Sequence, residues 1–197
     1  MSQEKEQSRA QLLARQFPAT PGQVLGPYFL ENSPRRQRLF PARAKGSRLT
    51  IKGQVLTVDG KPVNGATLHI WLADPNGRYD NQDDAGNPLA IPVEEQLYRG
   101  RVITVGAGVY SFECLRPGNY FDDGWQLWRP AHIHVQVEAP GFKPLVTQLY
   151  FQDDAQNSRD IPGDDFFQPE LAVALYPAAP SKGVKQSGVF NFVLQAR

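Results

Sequence analysis

Cysteine, methionine and histidine are nearly absent from this 197-residue chain, which has one Cys, one Met and three His. The lone Cys114 excludes an internal disulfide framework, is compatible with a reducing compartment, and reads by default as a small buried hydrophobe. No apolar run approaches the roughly 20 residues that span a bilayer. Residues 1–16 mix charges of both signs without the apolar stretch of a signal peptide, so a cytoplasmic location is expected and no membrane partner. An excess of either charge is missing too: 21 Lys and Arg against 20 Asp and Glu leave a formal net charge of +1. With the signs interspersed there is no basic field to gather nucleic acid or anionic lipid, and the expected ligand is small. Long helical periodicity is also lacking; only Glu6 to Arg15, with Ala10, Leu12, Leu13 and Ala14, has the pattern of a brief helix.

What is present is the pattern of an all-β protein. From Leu49 onwards, short runs rich in Val, Ile, Thr and aromatics are broken by turn residues at close intervals, the signature of a sandwich or barrel. Strands are expected at 48–57, 66–73, 101–104, 108–113, 132–139, 145–151 and 188–195. Asp59-Gly60 and Ala107-Gly108 carry turn signals between them. In the last run Val189, Asn191 and Val193 oppose Phe190, Phe192 and Leu194, which predicts a strand covered on both sides. The length fits one domain with a core of its own. We expect a two-sheet β-sandwich over 46–197 with long active-site loops. Residues 1–45 form an N-terminal arm, whose stretch from Phe17 to Ala44 holds five prolines and reads as an extended strap rather than a solvated linker.

Two of the three histidines fall in one run, Arg129-Pro130-Ala131-His132-Ile133-His134-Val135. In a strand His132 and His134 point to one face while Ile133 and Val135 point to the other. A lone His-X-His is more often a structural pair than a metal site. Upstream, however, Tyr79 and Tyr120 each stand beside a glycine-bearing turn, in Asn76-Gly77-Arg78-Tyr79-Asp80 and Pro117-Gly118-Asn119-Tyr120-Phe121. Turns at the ends of strands commonly carry binding residues. A phenol titrates near pH 10, but a bound cation stabilises its anion. Two phenolates with two neutral imidazoles suit a hard trivalent metal and point towards ferric iron, since zinc favours thiolate, imidazole or carboxylate, and calcium and magnesium favour carboxylate and carbonyl oxygen. For each tyrosine alone, the plain alternative is a half-buried turn aromatic.

The chain resembles the intradiol ring-cleavage dioxygenases, most closely the protocatechuate 3,4-dioxygenase branch. The resemblance runs through Gly53-Gln54-Val55, Asp59-Gly60-Lys61-Pro62-Val63, Gly65-Ala66-Thr67-Leu68-His69-Ile70-Trp71, Gly77-Arg78-Tyr79, Arg116-Pro117-Gly118-Asn119-Tyr120, Trp128-Arg129-Pro130-Ala131-His132-Ile133-His134 and Gln148-Leu149-Tyr150-Phe151. It implies that Tyr79, Tyr120, His132 and His134 hold a mononuclear non-haem Fe(III), with Tyr120 matching the tyrosine that leaves the metal when substrate binds. It implies that Arg129 stabilises negative charge on the activated ring and that Gln148 lies near the substrate and oxygen. The segment 20–29 resembles a loop that closes the active-site mouth, making Gly26, Pro27 and Tyr28 pocket residues. Trp125 and Trp128, between Tyr120 and His132, are placed to line the pocket, whereas Trp71 is expected in the core and His69 is read as structural.

The implied partners are a small aromatic diol and O2, and the implied assembly is a homo-oligomer, with a related partner subunit as an alternative. The lack of a substantial helical N-terminal region favours the protocatechuate-like branch over the catechol 1,2-dioxygenase branch. Protocatechuate is the first choice of substrate, ahead of hydroxyquinol, catechol or a substituted catechol; Arg78, Arg99 and Arg101 offer charges for its carboxylate. Two non-catalytic alternatives stand beside this reading. Gly53 to Trp71 also looks like the first strands of transthyretin-like and carboxypeptidase-regulatory binding modules, and an iron-free partner subunit would share the fold.

Overall fold

The computed structural model describes residues 17–178 and 183–197. The helix expected over Glu6 to Arg15 lies outside the described residues. In chain order the strands are β1 (Arg48–Thr57), β2 (Thr67–Leu72), β3 (Arg99–Ile103), β4 (Val109–Leu115), β5 (Tyr120–Asp122), β6 (Leu127–Arg129), β7 (His132–Glu138), β8 (Leu145–Phe151), β9 (Ala172–Val173), β10 (Leu175–Pro177), β11 (Gln186–Val189) and β12 (Phe192–Leu194). The only helical turns among the described residues are Val93–Glu95, Ala155–Arg159 and Pro169–Leu171.

One sheet is built on β1, with β4 antiparallel to it and β11 and β12 parallel to it; β10 extends the sheet beyond β11. The other runs β3-β2-β7-β8-β9, and β5 with β6 form a separate hairpin. The two large sheets pack face to face. Alternation sends Leu68, Ile70 and Leu72 of β2, Ile133, Val135 and Val137 of β7, and Leu149 and Phe151 of β8 into one core with Leu49, Ile51 and Phe112. Each such side chain contributes about 1.5–3 kcal/mol on burial.

The run expected as one strand at 188–195 is divided. β11 and β12 keep one register along β1, with Lys52 opposite Val189 and Val55 opposite Phe192. Between them the Phe190 carbonyl accepts from the Tyr110 hydroxyl at 2.8 Å, and the Asn191 side chain replaces a backbone acceptor for Gln54 N–H at 2.9 Å. Coverage on both sides holds only for β12; Val189 in β11 is 58% exposed.

The strap ties the sandwich at its edges. Arg101 N–H donates to Pro34 O and Leu39 N–H to Glu113 O, both at 2.8 Å, so one segment satisfies the edge strands β3 and β4 of different sheets. Further back, Gln23 N–H donates to Val146 O at 2.8 Å, which carries residues 23–28 over the outer face of the second sheet.

Candidate metal centre

The site stands on that outer face. Because Ile133 and Val135 fill the core, His132 and His134 must face away from it. Register then aligns a row across four strands: Arg99 opposite Trp71, Trp71 opposite His134, and His134 opposite Gln148. Tyr150 is opposite His132. The Trp71 indole lies flat on the His134 ring, with centroids 4.8 Å apart and 7° between planes. Trp71 is buried in a core as expected, in the second apolar cluster with Tyr28, Ala73 and Tyr79 on the outer side of its sheet.

The Nε2 atoms of the two histidines are 3.1 Å apart, and the Tyr79 hydroxyl is 3.3 Å from His132 Nε2. His132 Nδ1–H donates to Pro130 O at 2.8 Å, so its Nε2 carries the lone pair. The rings of Tyr120 and His132 are 5.6 Å apart and those of Tyr120 and Tyr79 5.8 Å. All four sequence-predicted ligand positions therefore come together. Two nitrogens bound at about 2.0–2.1 Å to one ion at right angles would stand roughly 3 Å apart, so the pair fits a shared metal. Among the described residues no group of three or more His, Cys, Asp or Glu could hold a metal, so the tyrosine oxygens are needed to complete a donor set.

Glycine permits the tyrosines to meet. Gly77 has φ +82°, and a Cβ on it would lie 2.1 Å from Asn119 O; a Cβ on Gly118 would lie 2.6 Å from Pro75 O. The two turns thus abut backbone to backbone, joined by Gly118 N–H donating to Asp74 O at 2.9 Å. Asp154 secures the other side, accepting from Ala131 N–H at 2.9 Å and facing the Asn119 amide at 3.4 Å, next to His132 and Tyr120 in sequence. Gly77→Ala is expected to destabilise the fold by roughly 1–3 kcal/mol. Gly65→Ala, also at positive φ (+77°) but with nothing within 4 Å, should cost less. Equal denaturation midpoints for the two variants would contradict the importance of this close approach.

Burial sets the protonation states. It lowers His132 to about 3, aided by Arg129, and holds His134 well below its usual value, with His132 adding to the effect. It raises Tyr79 well above 10, Tyr120 contributing, and pushes Tyr120 up to about 12. The imidazoles are thus neutral and ready to ligate, while the phenols keep their protons until a cation displaces them.

Arg129 is buried beside this group. Its Nε donates to Asp160 Oδ1 at 2.9 Å, and its Nη2 to Asp160 Oδ2, Gln148 Oε1 and Tyr150 Oη at 3.0 Å each. Burial, the largest single influence, lowers its pKa, but Asp160 together with Tyr150 and Tyr120 holds it above the usual value. Its guanidinium lies between the Tyr120 and Phe166 rings, 5.9 and 4.9 Å from their centroids.

The strap roofs the site. Tyr28 stacks on Tyr79 with centroids 4.2 Å apart and donates to Gly86 O at 2.7 Å, and a Cβ on Gly26 would come within 3.2 Å of His134 Cε1. Pro27, between them, is exposed. Trp125 is 59% exposed and meets Phe166 edge-on at the rim.

The pocket role expected for Trp128 is corrected. Phe121 pairs with Trp128 in the β5–β6 hairpin while Tyr120 pairs with Arg129, so alternation turns the Trp128 side chain, 54% exposed, to the opposite face. The charges expected for a substrate carboxylate are also engaged. Arg99 is fully buried against Asp80, Asn81 and Tyr28 O; Arg78 donates to Asp84 at 2.6 Å and Arg101 to Ser33 O at 2.7 Å. Sequence reasoning missed Asp80, Asp154, Asp160 and Tyr150. The only local hint was that Asp80 follows Tyr79 and Tyr150 lies two residues from Gln148, hence on its face.

Residues 24–196 match a family model described as Dioxygenase. The chain is 30% identical over 194 residues to a chlorocatechol 1,2-dioxygenase of Rhodococcus opacus, covering 89% of this chain and 72% of that one. It is 35% identical over 150 residues to a catechol 1,2-dioxygenase of Candida albicans, covering 66% of this chain and 46% of that one. A hydroxyquinol 1,2-dioxygenase of Nocardioides simplex is 31% identical, covering 72% of this chain and 50% of that one. The chain thus spans about half the length of the second and third of these relatives. Among solved structures, the dioxygenase domain of a dioxygenase carbohydrate-binding protein fusion from Streptomyces sp. SirexAA-E superposes with a TM-score of 0.71 at 33% identity, covering 91% of this chain and 99% of that one.

Proposed function

The chain belongs to the intradiol ring-cleavage dioxygenase family, and from that premise we propose that it opens a catechol-type ring between its two hydroxyl-bearing carbons with O2, giving a cis,cis-muconate-type diacid. In this reading Tyr79, Tyr120, His132 and His134 hold a mononuclear non-haem ferric ion. The carrying observation is the convergence of Tyr79 Oη and the two histidine Nε2 atoms within 3.1–3.3 Å. Bound there, the ion would supply Lewis acidity towards the two diol oxygens. Both atoms of O2 enter the product, so no external reductant is required.

The chain's own side chains bind, orient and move protons. Tyr120, the less buried of the two phenols, donates to Asp122 Oδ2 at 3.2 Å, so a proton taken up at its Oη has an acceptor on the solvent side. Arg129 offers a fixed positive charge, clamped by Asp160, to negative charge that develops on the ring. Tyr28 and Gly26 close the face above Tyr79 and His134 and limit water. A sandwich that served only as a binding module, or an iron-free partner subunit, would need none of this buried Tyr–His group.

The ring substituent is read from the charges. Arg78, Arg99 and Arg129 are each paired with a carboxylate. Burial first, then Asp122, Asp123 and Asp83, raises Tyr28, which sets three carboxylates rather than a free cation near the roof of the site. An uncharged diol such as catechol or hydroxyquinol suits that mouth better than protocatechuate, for which the relatives' names offer no support either. The test is a visible spectrum with iron quantified, repeated after anaerobic addition of catechol, hydroxyquinol and protocatechuate. A broad phenolate-to-iron band that shifts at lower concentrations of the uncharged diols is expected. A protein that stays colourless after iron loading would overturn the assignment.

A further inference from the structure

Gln148 and Tyr150 are fully buried on β8, opposite His134 and His132. The Gln148 carbonyl oxygen receives Arg129 Nη2–H at 3.0 Å and the Tyr150 hydroxyl at 3.2 Å, while its Nε2 is buried without a partner. The directions of these bonds are forced. A guanidinium only donates, so the Tyr150 oxygen accepts from Arg129 at 3.0 Å and its single proton is left for Gln148 Oε1, the acceptor within hydrogen-bond distance at 3.2 Å, with the nearby Asp160 carboxylate already engaged by Arg129. Arg129 Nη2 has two hydrogens for three acceptors, Asp160, Gln148 and Tyr150, and must share one of them. The Tyr150 hydroxyl is therefore a second donor to the Gln148 carbonyl beside the shared Arg129 Nη2.

We infer that Tyr150 is a positioning residue that fixes the Gln148 amide with its NH2 group towards the site, as a preorganised donor to an oxygen atom of the substrate. Flipping the amide would set its N–H bonds against the Arg129 N–H and forfeit the Tyr150 proton. An unpaired buried N–H is costly, and an arriving oxygen acceptor relieves that cost. The inference rests on the ring-cleavage reading for the identity of the acceptor, but the amide orientation belongs to the chain without its ligand.

The test is a cycle of Tyr150→Phe, Gln148→Met and the double variant, read in two ways. In the iron-loaded full chain with catechol, Tyr150→Phe should keep the iron content, change KM less than roughly twofold, and lower kcat about tenfold, the loss of one oriented hydrogen bond. In the Gln148→Met background the same change should cost less than about twofold, because its target is gone. In the metal-free full chain labelled with 15N-glutamine, Tyr150→Phe should shift or broaden the Gln148 side-chain amide signals. Equal kcat losses in both backgrounds, or an unchanged Gln148 signal, would overturn the inference. Should the parent chain show no iron-dependent turnover, the ring-cleavage reading fails, and the amide signals still decide the role of Tyr150.

Discussion

Replacing His132 with alanine, or Tyr79 with phenylalanine, is expected to abolish ferric-ion retention while leaving the sandwich folded. His132 stands where three constraints meet: its Nδ1 is committed to Pro130 O, and its Nε2 lies 3.1 Å from His134 Nε2 and 3.3 Å from Tyr79 Oη. No other imidazole is in reach, since the third histidine, His69, lies on β2 against Glu138 at 3.6 Å. Phenylalanine at 79 keeps the ring that stacks on Tyr28 and removes only the oxygen. Disturbing an outer partner of a metal ligand commonly costs 10–100-fold in affinity, so loss of a ligand should exceed about 100-fold. Iron per chain after dialysis, with far-UV circular dichroism as the check on folding, reads this directly. A variant with full iron and full turnover would remove that residue from the ligand set.

Asp80→Ala should have the largest effect on stability. It strips the carboxylate from a fully buried guanidinium whose other bonds reach Tyr28 O at 2.7 Å and Asn81 Oδ1 at 2.6 Å. An uncompensated buried charge costs about 3–5 kcal/mol, a large fraction of the roughly 5–15 kcal/mol that keeps a domain folded. The pair also joins two parts of the site, because Asp80 follows Tyr79 and Arg99 holds the backbone of Tyr28. Removing both charges, as Asp80→Leu with Arg99→Met, should restore much of the stability, since apolar replacements of a buried pair are often neutral or better. Iron affinity should stay low in the double variant, because the tie between the two loops is gone. Denaturant unfolding of the metal-free chain measures the first effect. An Asp80→Ala midpoint equal to the parent's would show that the pair contributes little.

The comparison between chain and fold turns on range. β1, β7 and β8 lie within a residue or so of their expected limits because alternation and turn chemistry are local signals. The split between β11 and β12 was invisible, because it depends on Tyr110, some 80 residues away, reaching Phe190 O. The pocket role given to Trp128 failed for a related reason. Proximity in sequence to Tyr120 and His132 says nothing of the face a residue takes in a hairpin not recognised as one.

Composition and period alone determined that this is an all-β chain without disulfides, that His132 and His134 share a face, and that Tyr79 and Tyr120 sit on glycine turns. Those conclusions follow from bond geometry within a few residues. Only the tertiary structure decided that the histidines look away from the core rather than into it, that Gly77 and Gly118 let two distant turns touch, and that Asp80 and Asp160 are the counter-ions of Arg99 and Arg129. Each of these depends on strand register and on contacts between residues far apart in the chain. Local pattern cannot specify such pairings, because the same alternation is compatible with either face and a buried arginine accepts any carboxylate the fold brings to it.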